Sequence, residues 1–375
     1  MIKIMTVFGT RPEAIKMCPV ISELKKEVQM KTIVSVTAQH RQMLDQVLTA
    51  FNIIPDYDLN IMKNKQSLVD ITCNVINHLD DVVKKEKPDL ILVHGDTTTT
   101  MASGIVAFYN KVALGHIEAG LRTNDKYAPF PEEMNRRITG TLADLHFCPT
   151  EQAKQNLLSE GKSSKNIFVT GNTVIDALQQ TIKAPFSHPV LDDIFQMEKK
   201  TQKKQRIVLL TTHRRENLGS NMVNIFSAVK QITEHLDNLH VIFPVHLNPA
   251  IQNLSNEMLS GNRSIHLIPP LDVISFHHLE SRADLILTDS GGVQEEAPSF
   301  NVPVLVLRDR TERPEGVTSG ALKLVGTDQN VILTTALDLL TNKEHYNKMA
   351  NSKNPYGDGH ASERIVKVIK NHFQL

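Results

Sequence analysis

Residues 287–300 read LTDSGGVQEEAPSF. An apolar run, DLILTD at 284–289, ends there; Gly291 and Gly292 follow side by side, and the next segment carries Glu295 and Glu296 into a helix. A plain turn needs only one glycine. Two leave bare backbone that a bulky anion can approach, Ser290 adds a hydroxyl, and the first helical turn presents unpaired N–H groups at a positive dipole end. This corner reads as a diphosphate cradle. No Gly-Lys-Ser/Thr follows the strand and the GxGxxG spacing is absent, so it is neither a Walker A loop nor the dinucleotide fingerprint. Glu296, one helical turn farther on, is placed to accept hydrogen bonds from a ribose diol, as acidic residues do in nucleotide folds, while Glu295 is expected to face elsewhere.

The strand feeding this corner has counterparts along the whole chain. IKIMTVF (2–8), TIVSV (32–36), DLILVHG (89–95), VALGHIE (112–118) and LHFC (145–148) alternate with amphipathic segments, and the pattern restarts with RIVLLTT (206–212), HVIFPV (240–245) and VPVLVL (302–307). Nearly continuous apolar strands separated by helices signal parallel sheets covered on both faces. The chain of 375 residues is too long for one ordinary core, so the expectation is α/β, with two Rossmann-like domains whose parallel sheets face a central cleft, divided near 170/171. The polar stretch at about 184–205, containing APFSHP and EKKTQKKQR, reads as a helix end and surface connection. The last segment, ASERIVKVIKNHFQL, has helical apolar spacing and could cap either domain.

Composition narrows the function classes. Lys plus Arg equals Asp plus Glu, so the formal net charge is zero and the basic footprint of nucleic-acid binding is missing. Cys18, Cys73 and Cys148 are odd in number and lack CxxC spacing, which indicates neither a disulfide framework nor a zinc site. No apolar run reaches membrane-spanning length, and the N-terminal MIKIMTVFGTRPE is too short a run for a signal segment. The expectation is a soluble cytoplasmic protein without a metal. Trp is absent, removing the indole platform often used to stack a sugar ring.

Ligands of parallel sheets sit at the carboxyl ends of strands, and chemistry-bearing residues recur there. After the first strand, FGTRPEAIKM offers Arg11 and Lys16, suited to phosphate or carboxylate or else solvated on a helix whose first turn Pro12 starts. HGDTTTT offers Asp96, which could equally N-cap the next helix. GHIEAGLRT adds His116, Glu118 and Arg122, and PFPEEMNRRI adds Glu132 and Glu133, acids that a helix dipole also favours. Asp96, Glu118 and one of the 132/133 pair, at successive strand-to-helix junctions, form a set fit for proton transfer, because neighbouring carboxylates push one another's pKa values apart. In the second half TTHRREN supplies His213 with Arg214 and Arg215, of which at most two side chains can reach one ligand; His213 could donate to a departing phosphate. RDRTERPEG supplies Arg313 as a further cation.

Taken together, FGTRPEAIKM, HGDTTTT, GHIEAGLRT, PEEMNR, TTHRREN, DSGGVQEEAPS and TERPEG resemble, in collinear order from residue 3 to about 320, the non-hydrolysing UDP-N-acetylglucosamine 2-epimerases of bacteria. The resemblance implies the two-domain architecture of many nucleotide-sugar glycosyltransferases (GT-B type), a C-terminal helix at about 360–375 that joins the first domain, a UDP-binding domain over 171–359, and a homodimer. It implies UDP held by Ser290, Gly291 and Gly292 at the diphosphate, Glu296 at the ribose and Phe276 by the uracil, with Arg11, Lys16, His213 and Arg313 nearby. Asp96, Glu118, Glu132 and His213 would serve catalysis, with no NAD and no metal. The implied reaction inverts C2 of the sugar, giving UDP-N-acetylmannosamine for cell-surface polysaccharides. Activation by the substrate at a second site is implied too, through Gln39, His40, Gln42 and His246; Lys65 stands there where an arginine is common in the family, keeping the charge but losing the bidentate fork. Competing expectations are a hydrolysing epimerase, a retaining glycosyltransferase, and a nucleotide-sugar sensor without turnover.

Overall fold

The computed structural model describes residues 1–38, 41–61, 66–311 and 313–375, leaving aside the side chains of Arg41, Gln42 and Met43. Unit 1 comprises Met1–Gln180 with Tyr356–Leu375, and unit 2 comprises Thr181–Pro355.

Unit 1 holds β1 (Ile2–Phe8), β2 (Met30–Val36), β3 (Tyr57–Asp58), β4 (Leu90–His94), β5 (Ala113–Ile117), β6 (Leu145–Cys148) and β7 (Ile167–Val169), ordered β3-β2-β1-β4-β5-β6-β7. Unit 2 holds β8 (Arg206–Thr211), β9 (Leu239–Pro244), β10 (Ile265–Ile268), β11 (Leu285–Thr288), β12 (Val304–Val306) and β13 (Leu322–Leu324), ordered β10-β9-β8-β11-β12-β13. Every pairing is parallel, with Thr6 opposite Leu92 in unit 1 and Leu210 opposite Leu287 in unit 2. In both units strand order reverses beside the first strand, so the switch points lie between β1 and β4 and between β8 and β11. FGTRPEAIKM, HGDTTTT, TTHRREN and DSGGVQEEAPS leave those four strands, while GHIEAGLRT leaves β5 and TERPEG follows β12.

Alternation explains the layers. Val208 and Leu210 of β8 point into a core shared with helices Ser220–His235 and Gln329–Thr341. Ile207 and Leu209 point the other way, toward helices Pro189–Thr201 and Val273–Arg282. With period-2 side chains and a helix on each face, a central strand has to be apolar throughout, and each such side chain contributes about 1.5–3 kcal/mol on burial. Unit 1 repeats the scheme, Met5 and Val7 of β1 packing against helices Leu68–Glu86 and Thr98–Tyr109. Among the described residues no helix is long and apolar enough to cross a membrane.

Three expectations change. The 184–205 stretch is not merely a connection: Pro189–Thr201 is a helix, with proline in its first turn and Leu191 and Ile194, one turn apart, buried in the unit 2 core. The strands β3, β7, β10 and β13 escape the sequence pattern because each lies at or near a sheet edge and is only two to four residues long. The first unit runs to Gln180 rather than 170, because helix Thr173–Thr181 is fastened to the C-terminal segment. Asn172 N–H donates to Tyr356 O at 2.7 Å, and the buried Asp176 carboxylate accepts from Ala361 N at 3.2 Å and Ser362 N at 2.7 Å, starting helix Ala361–Phe373.

Candidate active site

In unit 1, β1 leads into Gly9, where a Cβ would lie 2.1 Å from Thr37 Oγ1 and 2.9 Å from Thr99 Oγ1, so no larger residue fits without displacing those side chains. Helix Arg11–Leu24 begins with a capping box from Thr10 and Glu13. Glu13 is buried and does more than cap: one oxygen accepts from Gly9 N (3.0 Å), Thr10 N and Thr10 Oγ1 (both 2.8 Å). The other accepts from Thr97 Oγ1 (2.7 Å) and Thr100 Oγ1 (3.1 Å). One carboxylate thus fastens the turn after β1 to the helix start after β4. Burial pushes its pKa up, and those bonds oppose the rise. Arg11 is exposed at the first helical position and has no ion pair among the described residues.

The N-cap after β4 is Thr97, whose hydroxyl accepts from Thr100 N at 3.1 Å, so the capping alternative for Asp96 is not realised. Asp96 instead pairs with Arg136, whose Nε lies 2.9 Å from Oδ2, while Asn135 Nδ2 donates to its backbone carbonyl at 2.8 Å. Helix Glu132–Leu142 is thereby locked onto the Asp96 loop. Its two leading acids differ sharply. Glu133 is buried and accepts from Thr123 N at 3.0 Å, Asn124 N at 3.3 Å and Arg137 Nε at 3.1 Å. These bonds, with Arg136, outweigh desolvation and lower its pKa. Glu132 is half-buried and, among the described residues, takes no hydrogen bond or ion pair.

Glu118, just past β5, has φ of +62°, a conformation costly to a non-glycine residue and most often kept where function needs it. Its carboxylate takes the Lys16 ammonium and Asn172 Nδ2 (3.0 Å), with His94 Nε2 at 3.7 Å. Lys16, expected at the phosphate, is in this structure the counter-ion of Glu118. His116 faces away: burial pushes its pKa down to about 3, so the ring is neutral and its Nε2–H donates to Gly95 O at 2.7 Å. Arg122 is fixed on Glu160 at 2.7 Å.

In unit 2 the hub is Asp289, fully buried at the end of β11. It accepts from Thr212 Oγ1 (2.8 Å), Arg214 N (2.9 Å), Asn217 Nδ2 (2.9 Å) and His213 N (3.0 Å). Its other oxygen lies 3.3 Å from His213 Nδ1, so the carboxylate fixes the ring and leaves Nε2 as the outward nitrogen. Burial lowers the His213 pKa below its usual value, and the Asp289 charge partly restores it. His246, expected at a regulatory site, stacks on His213 with ring centroids 5.5 Å apart.

Ser290 N–H donates to Thr288 Oγ1 at 2.9 Å, and helix Gly291–Glu296 starts directly after it. That helix spans six residues before tightening at Ala297–Phe300, so its dipole is smaller than the sequence suggested. The positive charge comes from Arg313. Its guanidinium lies where a side chain on Gly291 would be, Cζ being 2.7 Å from that Cβ position, and its Nε donates to Glu295 at 2.8 Å. Gly291 therefore makes room for an arginine, and Glu295 is turned to that arginine. Glu296 folds back toward Gly292, its Oε1 3.4 Å from the Cβ position there. Phe276 is half-buried against the Leu279–Val293 core. His277, Glu280 and Glu296 each bring one ligand-type atom within 4.8 Å of the others, the group among the described residues that could geometrically hold a cation.

Gln39, His40 and Lys65 lie outside the described residues, as does the side chain of Gln42. Glu13, Arg136, Asn172 and Asp289 are not singled out by the sequence, and Glu133 only as the alternative to Glu132. Thr-x-x-Glu at 10–13 is a capping-box signal that could have found the first; Arg136, Asn172 and Asp289 meet side-chain partners 40 to 77 positions away and leave no local signature.

Two Rossmann-ordered parallel sheets, with acids after the strands of one unit and a histidine–glycine–arginine corner after those of the other, define a nucleotide-handling α/β protein. The chain belongs to the UDP-N-acetylglucosamine 2-epimerase family, whose model matches residues 22–370. It is 56% identical over 372 residues to the UDP-N-acetylglucosamine 2-epimerase of Bacillus subtilis, covering 99% of this chain and 96% of that protein. The Neisseria meningitidis UDP-GlcNAc 2-epimerase, solved with UDP-GlcNAc bound, superposes with a TM-score of 0.88 at 49% identity, covering 99% of this chain and 100% of that one. A Staphylococcus aureus relative solved with UDP gives a TM-score of 0.90 at 49% identity, covering 100% and 98%.

Proposed function

We propose that this protein interconverts UDP-N-acetylglucosamine and UDP-N-acetylmannosamine by inverting C2, without hydrolysis. The geometric observation that carries the reading is the buried Asp289, which holds His213 and directly precedes Ser290–Gly291–Gly292, with Arg313 against Gly291. The family match supplies the nucleotide sugar. The C2 hydrogen is too weakly acidic for direct removal, so the C1–O bond to UDP breaks as C2 loses its proton, giving a 2-acetamidoglucal and UDP. Protonation of C2 on the opposite face and return of UDP to C1 complete the inversion. Two faces require two proton-transfer groups, which Asp96, Glu118 and Glu132 provide. Ser290, Gly291 and Gly292 hold the diphosphate, Glu296 the ribose and Phe276 the uracil. His213 and the arginines Arg11 and Arg313 stabilise the departing phosphate. The route requires neither NAD nor a metal ion. The reading extends to a cytoplasmic homodimer feeding cell-surface polysaccharide synthesis, with UDP-N-acetylglucosamine also acting as activator.

Proton NMR of UDP-N-acetylglucosamine incubated with the protein in deuterated water tests this. The expected result is both epimers carrying deuterium at C2. Free N-acetylmannosamine with UDP would mean hydrolysis instead, and an unchanged spectrum despite UDP binding would leave a transferase or a sensor. Asp96→Asn and Glu118→Gln should each lower kcat at least about 100-fold while leaving UDP affinity within roughly threefold; normal turnover in both variants would discard the acid assignments.

A further inference from the structure

Glu280 is a fully buried acid on helix Val273–Arg282, outside every set of residues so far given a task. Neither of its oxygens has a well-formed hydrogen-bond partner among the described residues. Burying a carboxylate that way is prohibitive, and a second carboxyl group, that of Glu296, reaches to within 4.8 Å. Two such acids in one buried corner cannot both ionise. The proton belongs on Glu280, because Glu280 is wholly enclosed whereas Glu296 keeps some exposure and must accept from a ligand. Burial first and the charge of Glu296 second raise the Glu280 pKa well above the carboxylate range.

We infer that Glu280 is a neutral carboxylic acid whose O–H donates to the Glu296 carboxylate and is the positioning residue for nucleotide ribose recognition. The shared proton gives Glu280 its missing partner. It also ties down one lone pair of Glu296 and aims the remaining ones outward, away from the helix. His277 completes the corner: its Nδ1 meets Thr181 Oγ1 at 2.7 Å and its Nε2 lies 3.9 Å from Glu296 Oε2. Burial holds that ring neutral, with a pKa near 3, so His277 brings no full positive charge to Glu296. A cation shared by the three side chains would satisfy the same atoms but would occupy the oxygens needed by a diol.

This inference rests on Glu296 reading the ribose, and the test separates the two claims. Affinities of UDP and 2′,3′-dideoxy-UDP are measured by calorimetry for the wild type, Glu280→Gln and Glu280→Leu. Glutamine keeps a donor without charge and should retain the wild-type preference for the diol within about twofold, whereas leucine should erase a preference of about tenfold. A wild type without preference would overturn the ribose role of Glu296, and this proposal with it. A wild-type preference that survives in Glu280→Leu, or vanishes in Glu280→Gln, would overturn the role of Glu280 alone. Stoichiometric divalent metal in the purified protein would also overturn it. If the leucine variant does not fold, retention or loss of the preference in the glutamine variant decides.

Discussion

Asp289 and Glu133 show how much a single buried carboxylate can organise. Each gathers backbone N–H groups from a loop that would otherwise need water, and each leaves its neighbour, His213 or Glu132, in a defined setting. For His213 the setting has a pH consequence. Its pKa is depressed in the free protein, chiefly by burial, so the ring is neutral near pH 7; a bound diphosphate adds negative charge and raises the pKa, so UDP binding should take up a proton. Calorimetry in buffers of differing ionisation enthalpy should show that uptake in the wild type. Asp289→Asn removes the charge that partly restores the pKa, so uptake should disappear and kcat fall roughly 10- to 100-fold. Unchanged uptake would mean that Asp289 does not set the charge of His213. At this scale the candidate acids stand out in the sequence and the side chains that hold them do not. Asp96 and Glu118 announce themselves by following apolar strands, whereas Arg136 and Asn172 acquire meaning only when the fold brings them to Asp96 and Glu118.

Elements were legible in proportion to their burial. β1 and β6, each with a strand on both sides, fall where the apolar runs put them, at 2–8 and 145–148. Edge strands such as Leu322–Leu324 have one neighbour and no such run. Helix Pro189–Thr201 reads as a connection in the sequence because only Leu191 and Ile194 are fully buried, with Val190 and Phe195 partly so, under a polar surface. Helix Ala361–Phe373 was legible as a helix, yet its docking depends on Asp176, 185 positions earlier. Asp176→Ala should free the first N–H groups of that helix and lower stability by about 1 kcal/mol, a Tm loss of about 2–4 °C measurable by calorimetry. The same variant should keep its kcat, since no proposed catalytic group touches Asp176.

For the whole molecule, the chain leaves unit 1 once, at 180, and returns to it at 356, so unit 2 is an insertion within unit 1. Sequence periodicity shows two α/β halves but cannot show that return, because the amphipathic tail suits either sheet. The return is made by helix packing, Ile365, Val366 and Ile369 being buried and Lys370 Nζ reaching Glu27 at 2.7 Å. A chain ending at 355 should therefore lose its resistance to limited proteolysis within 1–180 first, while 181–355 stays resistant; equal protection of both would show that the tail is dispensable.

Such a layout also sets a timetable for synthesis. Residues 1–180 leave the ribosome before unit 2 but lack the segment that closes them until residues 356–375 emerge. The inserted unit, contiguous in sequence, can reach its final form first, although it is made second. Until then the cap of Asp176 and the apolar side of helix Arg11–Leu24 await their partners, and a nascent chain stalled near its end would expose them to chaperones.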